Sequence, residues 1–239
     1  MSSHAILTAD THRDLRIRTD RAAELGDDMM MALAVPSEFR KLQLDYPILF
    51  RLDLDRDKFT AVALFGFEAG ENLFVSNGHW DAGYRPLSVD IQPFLIGGRR
   101  DGFEAKQVHI DMASPRIDRD GEGVRVFDQD GRATPYLERV SAQLCELDAG
   151  YQDYAGFFEA LRRHELLEPL TLDITLDDGS ANRLVGFHTI DEDRLRSLDA
   201  DALGELHLSG YLLPIFMAVA SIGNFAKLIA RKNWRLRHG

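Results

Sequence analysis

At 239 residues, the chain is long enough to bury a core without covalent staples, and its single cysteine, Cys145, rules out an internal disulfide and suits a reducing compartment. A net charge of −11 argues against general nucleic-acid binding, which depends on Lys and Arg meeting phosphates. The residues after Met1 are charged and alternating, and the longest apolar run, 211–223, is shorter than the ~20 residues of a membrane span, so we expect a cytoplasmic protein with neither signal peptide nor transmembrane segment.

In chain order, "HAILT" and "DLRIR" alternate as short strands. "PSEFRKLQLDY" offers Ser37 as a cap, with Phe39, Leu42 and Tyr46 at helical spacing. "DYPILFRLD" and "FTAVALFGF" flank the turn-like "LDRDK" as a hairpin, and further strands are expected at "NLFV", "PFLIG" and "QVHIDM". Asp130-Gly131 marks a turn.

The pattern then changes. Thr134-Pro135 reads as a helix start, and Leu137, Val140, Leu144 and Leu147 repeat at intervals of 3 and 4. Gly150 is expected to break or bend this helix, after which Tyr151, Tyr154, Phe157, Phe158 and Leu161 continue a similar stripe. Leu170, Leu172, Ile174 and Leu176 alternate ahead of Asp178-Gly179, a hairpin signature. Asp191 and Asp199 read as caps of two short helices, with Gly210 ending the second. The last helix places Leu212, Ile215, Phe216, Val219, Ile222, Ala226 and Ile229 on one side. The sum is α+β: mostly antiparallel strands in the N-terminal two-thirds, helices concentrated in the C-terminal half, and one further β-hairpin near 170–187. We read one domain over 1–239, with a subdivision near 132 as the alternative.

Several motifs carry a resemblance. "PSEFRKLQLDYPILFR", "VALFGFEAGENLFV", "GHWDAGYRPL", "QPFLIG", "IDMASPRI", "HELLEPLTLDITLDDGS", "GFHTIDEDRL" and "GYLLPIFMAVASIGNFAKLIARKN" follow one another over nearly the whole chain. In that order they resemble the bacterial SapC family, associated by name with surface-layer loci and distinct from the peptide-transport permease that shares the short name. The resemblance implies a soluble protein whose genes neighbour outer-membrane receptor, flavin-dependent halogenase-like and cupin-like genes. It brings no established activity and no catalytic residue.

Candidate chemistry is sparse. "QVHIDM" puts His109 and Asp111 on one strand face, the start of a non-haem Fe(II) site if His164, His188 or His207 supplies a third ligand; two solvent-facing side chains are the competing reading. Asp53, Asp55 and Asp57 have the spacing that opens a calcium loop, but Lys58 and Leu64 stand where an EF-hand needs Gly and Glu, so a solvated hairpin tip fits better. Cys145 lies beside an apolar helical stripe, where a buried, inert thiol is the commoner outcome. "GGRR" at 97–100 reads as a turn with exposed arginines. Lys227, Arg231, Lys232, Arg235 and Arg237, without an acidic neighbour in sequence, either complement a helix dipole or dock an anionic partner.

The densest cluster is "NGHWDAGYRP". His79, Trp80, Asp81, Tyr84 and Arg85 join aromatic bodies to polar tips in a loop, the composition of a ligand or partner site; a Trp plugging a sheet edge with Asp81 capping a turn is the structural alternative. Taken together, we expect a cytosolic binding or accessory protein for a surface-layer, uptake or modification system, working without a cofactor on a protein or small-molecule partner, with self-association through the C-terminal helix as a further option. The competing function is a metal-dependent oxidative enzyme using His109 and Asp111 with Fe(II).

Overall fold

A computed structural model describes residues 3–97 and 106–238; Gly98, Arg99 and Arg100 of "GGRR" lie outside the described residues. In chain order it runs β1 (His4–Ile6), α1 (Ala9–His12), β2 (Arg16–Ile17), β3 (Met31–Ala34), α2 (Phe39–Leu42), β4 (Ile48–Asp53), β5 (Lys58–Leu64), β6 (Val75–Ser76), β7 (His79–Trp80) and α3 (Leu87–Asp90). There follow β8 (Phe94–Gly97), β9 (Gln107–Asp111), β10 (Ile117–Asp118), β11 (Val124–Arg125), α4 (Pro135–Gln152) and α5 (Tyr154–Arg163). The chain ends with β12 (Leu167–Thr175), β13 (Ala181–Ile190), α6 (Glu192–Arg196), α7 (Ala200–Leu208), α8 (Leu212–Ser221) and α9 (Asn224–His238). The strand pairings are antiparallel, strands dominate the first part and helices the C-terminal half, so the fold is α+β.

These elements form two compact units, each assembled from three stretches: Met1–Asp27, Val75–Trp80 and Leu87–Ala149 in the first; Asp28–Phe74, Asp81–Pro86 and Gly150–Gly239 in the second. No single cut separates them.

The first unit holds two three-stranded sheets, ordered β1-β9-β8 and β10-β2-β11, and the β6-β7 hairpin. Register places Phe94 opposite Ile110, and both are buried. Leu137, Val140, Leu144 and Leu147 form the buried stripe of α4, as their spacing anticipates. Cys145 is exposed, not buried, because Leu144 and Leu147 occupy the inward face. The same unit holds a buried ionic network that no motif announced. Asp27, with no exposed surface, accepts from Arg116 Nη2 at 2.6 Å, Arg21 Nη1 at 3.2 Å and the Ala22 amide at 3.0 Å. Arg21 also reaches Asp90, to which Gln143 donates at 2.5 Å.

The second unit is built on a five-stranded sheet ordered β12-β13-β4-β5-β3. β4 and β5 form the expected hairpin, and β12 and β13 the long one, with Gly179 at φ +84° in the turn. Asp191 and Asp199 cap α6 and α7, accepting from the Arg194 and Ala202 amides at 2.8 Å.

Four local expectations are corrected. In "NLFV" Leu73 and Phe74 form a turn, and the strand begins only at Val75. Among the described residues Ser37 caps no helix; Glu38 takes the Val35 amide at 3.0 Å, while Pro36 opens a single 3₁₀ turn ahead of α2. Gly150 does not break the helix, since α4 continues to Gln152 and α5 follows from Tyr154; a Cβ at Gly150 would lie 2.8 Å from Val35 Cγ2, so glycine serves close packing. The buried face of the C-terminal helices is Ile215, Ala218, Ser221, Phe225 and Leu228, which leaves Phe216 half exposed.

That rotation has a polar cause. Ser221 Oγ accepts the Ile48 amide at 2.9 Å and donates to the Ala218 carbonyl, while Asn224 donates to the Gln43 and Tyr46 carbonyls at 2.8 and 3.1 Å. Small residues on this face let the backbones approach. Pro214 sits in the first turn of α8, where its missing N–H is no loss, and Asn224 opens α9 instead of closing the helix before it. Leu212–His238 is consequently long and apolar enough to cross a membrane by length and composition, longer than the run seen in sequence, and 39% of its most apolar 18-residue window is buried.

Candidate functional site

A cleft of about 410 Å³ opens in the second unit between the tip of the β4–β5 hairpin and α5. Its helical wall joins Tyr151, near the end of α4, to Tyr154, Phe158 and Arg162 of α5, which recur every four residues and share one side. Phe59 of β5 lies stacked against Phe158, with centroids 6.2 Å apart and planes 12° apart. Tyr154 packs on Phe158 at 4.8 Å and on Tyr151 at 5.5 Å. The Tyr154 hydroxyl oxygen accepts the Ala61 amide at 2.6 Å, which pins α5 to the sheet. Burial pushes the Tyr154 hydroxyl far above its usual pKa; burial, and then the Glu38 charge, raises Tyr151 as well.

Charges rim this aromatic lining. Arg162 lies 5.3 Å over the Phe59 ring and grips both Asp57 oxygens, at 3.0 and 2.5 Å; its hydrogen bonds hold the Asp57 carboxyl below the usual range. Asp53 Oδ1 accepts the Asp55 and Arg56 amides. The three aspartates that suggested a calcium loop are therefore a hairpin tip closed by its own hydrogen bonds and by Arg162. On the other edge of Phe59 stands His188, its ring 5.0 Å away and near-perpendicular. Its Nδ1 is buried without a hydrogen-bond partner among the described residues, and desolvation lowers its pKa.

The loop cluster is divided. His79 and Trp80 belong to the first unit, in the β6–β7 hairpin opposite Ser76 and Val75. Asp81, Tyr84 and Arg85 belong to the second, where the first two serve internal contacts. Asp81 pairs with Arg231 at 2.7 Å. The Tyr84 hydroxyl donates to Glu38 at 3.0 Å, its carbonyl accepts from Tyr46 at 2.5 Å, and Lys41 sits 5.0 Å over its ring. Asp45 accepts the Gly83 amide at 3.0 Å. This segment fastens the chain to the α2 region and to α9.

His109 and Asp111 do share a face of β9, but they are occupied differently. Asp111 Oδ1 accepts the Ser3 and Ala113 amides at 3.0 Å, which lowers its pKa. The His109 ring lies against Gly97, where a Cβ would fall 2.2 Å from Nε2. Among the described residues no three His, Cys, Asp or Glu side chains gather as a metal set, and His164, His188 and His207 belong to the other unit.

The C-terminal cations meet partners within the second unit. Arg231 takes Asp81, Lys232 takes Glu71 at 2.5 Å and Glu68 at 3.3 Å, and Arg237 takes Asp177. Lys227 and Arg235 donate to the carbonyls of Leu44 and Asn72. Acids distant in sequence explain a basic run that looked unbalanced.

A family model described as SapC matches residues 7–228, almost the whole chain. The chain belongs to the SapC family. Comparison with curated proteins and with solved structures gives no match. In this SapC-family chain the quoted motifs fall in both units: "IDMASPRI" contributes Asp111 and Arg116, and "PSEFRKLQLDY" supplies Glu38 and Tyr46. The cleft itself escaped the sequence reading. In sequence Tyr151, Tyr154 and Phe158 are part of one helical stripe, and the signal that separates them is the acidic and basic residues facing them from a hairpin a hundred positions earlier.

Proposed function

We propose that this SapC-family chain is a cytosolic binding or accessory protein for a surface-layer, uptake or modification system, and that its ligand seat is the aromatic cleft. One observation carries the reading: Phe59, Tyr151, Tyr154 and Phe158 line an open hollow of about 410 Å³, a small-molecule size, within a hydrogen-bonded frame. Aromatic faces bring contact area at little entropic cost, and fixed polar groups at the rim orient what enters. The lining also supports binding over chemistry. Its tyrosines are pushed away from ionisation, Asp57 is held by Arg162, and Asp53 closes its own turn. Neither the tyrosines nor Asp57 is poised to exchange a proton near neutral pH.

The test is native mass spectrometry on the protein isolated gently from its own kind of cell, beside the variant Tyr151→Ala. The wild type is expected to carry a small-molecule adduct that the variant lacks. A bare wild type, or an adduct that survives the substitution, removes the cleft from consideration.

A further inference from the structure

We infer that the cleft selects a small carboxylate with an apolar body, seated with its ring or chain on the aromatic lining and its charge at Lys58. This rests on the cleft being the ligand seat and names the chemistry it takes. Six charged side chains line it: Asp53, Asp57 and Glu159 against Arg56, Lys58 and Arg162. Arg162 is committed to Asp57, and Glu159 lies 3.5 Å from Arg163. Asp53 spends Oδ1 on two backbone amides, and its Oδ2 lies 3.8 Å from Arg56, whose side chain is 80% exposed.

Lys58 remains. It stands directly opposite Asp53 in the hairpin register, yet among the described residues it makes no ion pair. The acids facing the cleft are thus satisfied from within, while Lys58, with the loosely held Arg56 guanidinium two residues away, is left as an uncommitted cation among the residues that line it. A cationic ligand would find its carboxylates taken and Lys58 repelling it. A neutral apolar ligand would gain the stacking alone. An apolar carboxylate gains both.

The experiment uses three probes sharing one phenylalkyl body on the full chain, followed by NMR titration: 4-phenylbutyrate, its primary amide, and 4-phenylbutylamine. The acid is expected to bind tightest, by roughly two- to fivefold over the amide, the scale of an exposed ion pair, with the margin shrinking in high salt. Lys58→Gln should bring acid and amide level, and Tyr151→Ala should weaken all three. Acid and amide binding the wild-type cleft equally, or the amine binding best, overturns the ligand class and leaves the cleft standing. No perturbation of cleft residues by any probe at millimolar concentration overturns the ligand class and the seat together.

Discussion

Tyr84 donates its hydroxyl to Glu38 across 3.0 Å, and that carboxylate has no exposed surface at all. A loop tyrosine of the kind that advertises a binding site is therefore part of the interior hydrogen bonding. Tyr84→Phe removes one donor from a buried carboxylate, and the expected loss is about 1–3 kcal/mol in chemical denaturation. Unchanged stability, with a lost partner in pull-down, would restore the loop as a recognition surface.

Asp27 accepts from two arginines in a site closed to water. Asp27→Ala leaves two buried guanidiniums short of an anion and should destabilise by about 3–5 kcal/mol. Urea denaturation of the variant measures it; a loss below that of an ordinary surface change would mean water reaches the site.

Gly150→Ala sets two effects against each other. Helix propensity favours alanine by about 1 kcal/mol, but the new methyl lies within 3 Å of Val35 carbons, and overpacking costs about 1–3 kcal/mol. The contact is to a stiff β-branched side chain, so a net loss is expected. A gain in thermal midpoint would show that Val35 moves aside freely.

His188 confers acid sensitivity. It pairs in register with Pro169 on β12 and Phe50 on β4, and it faces Phe59. Burial puts its folded-state pKa below the reference value of 6.5. As pH falls below that value the unfolded chain binds the proton more readily than the native one, so stability declines until the lowered pKa is passed. His188→Phe should flatten the part of the profile that begins near the reference value and runs to lower pH, measured as the denaturation midpoint against wild type. Parallel profiles would assign the acid loss to other groups.

For the β9 pair, anaerobic loading with Fe(II) followed by metal analysis is expected to give equal content for wild type and His109→Ala. A stoichiometric iron that disappears with His109 would revive the oxidative reading.

Sequence was a good guide wherever one local rule governed. Asp191 and Asp199 cap their helices, Asp178-Gly179 turns the long hairpin, and the α4 stripe faces inward, because each depends on neighbours a few positions away. It failed where the partner is remote. Nothing near Arg116 points to Asp27, and nothing near Lys232 points to Glu71. The C-terminal helix illustrates the point most sharply. Hydrophobicity alone would bury Phe216, but Ser221 and Asn224 have backbone groups of residues 43–48 to satisfy, and they set the rotation. The cleft was hidden for the same reason: an aromatic stripe becomes a wall only when a distant hairpin stands opposite it.

The central sheet of the second unit joins β4 to β13 through Arg51 opposite Phe187 and Phe50 opposite His188. A ribosome delivers β4 long before it delivers β13, so throughout that interval β4 presents an unpaired edge bearing Ile48, Leu49 and Phe50, residues that end fully buried. Truncated products, stalled chains and N-terminal expression fragments would all share that sticky edge. Yield of soluble protein should therefore depend on finishing translation promptly and on holdase capacity in the host, more than on the stability of the completed chain.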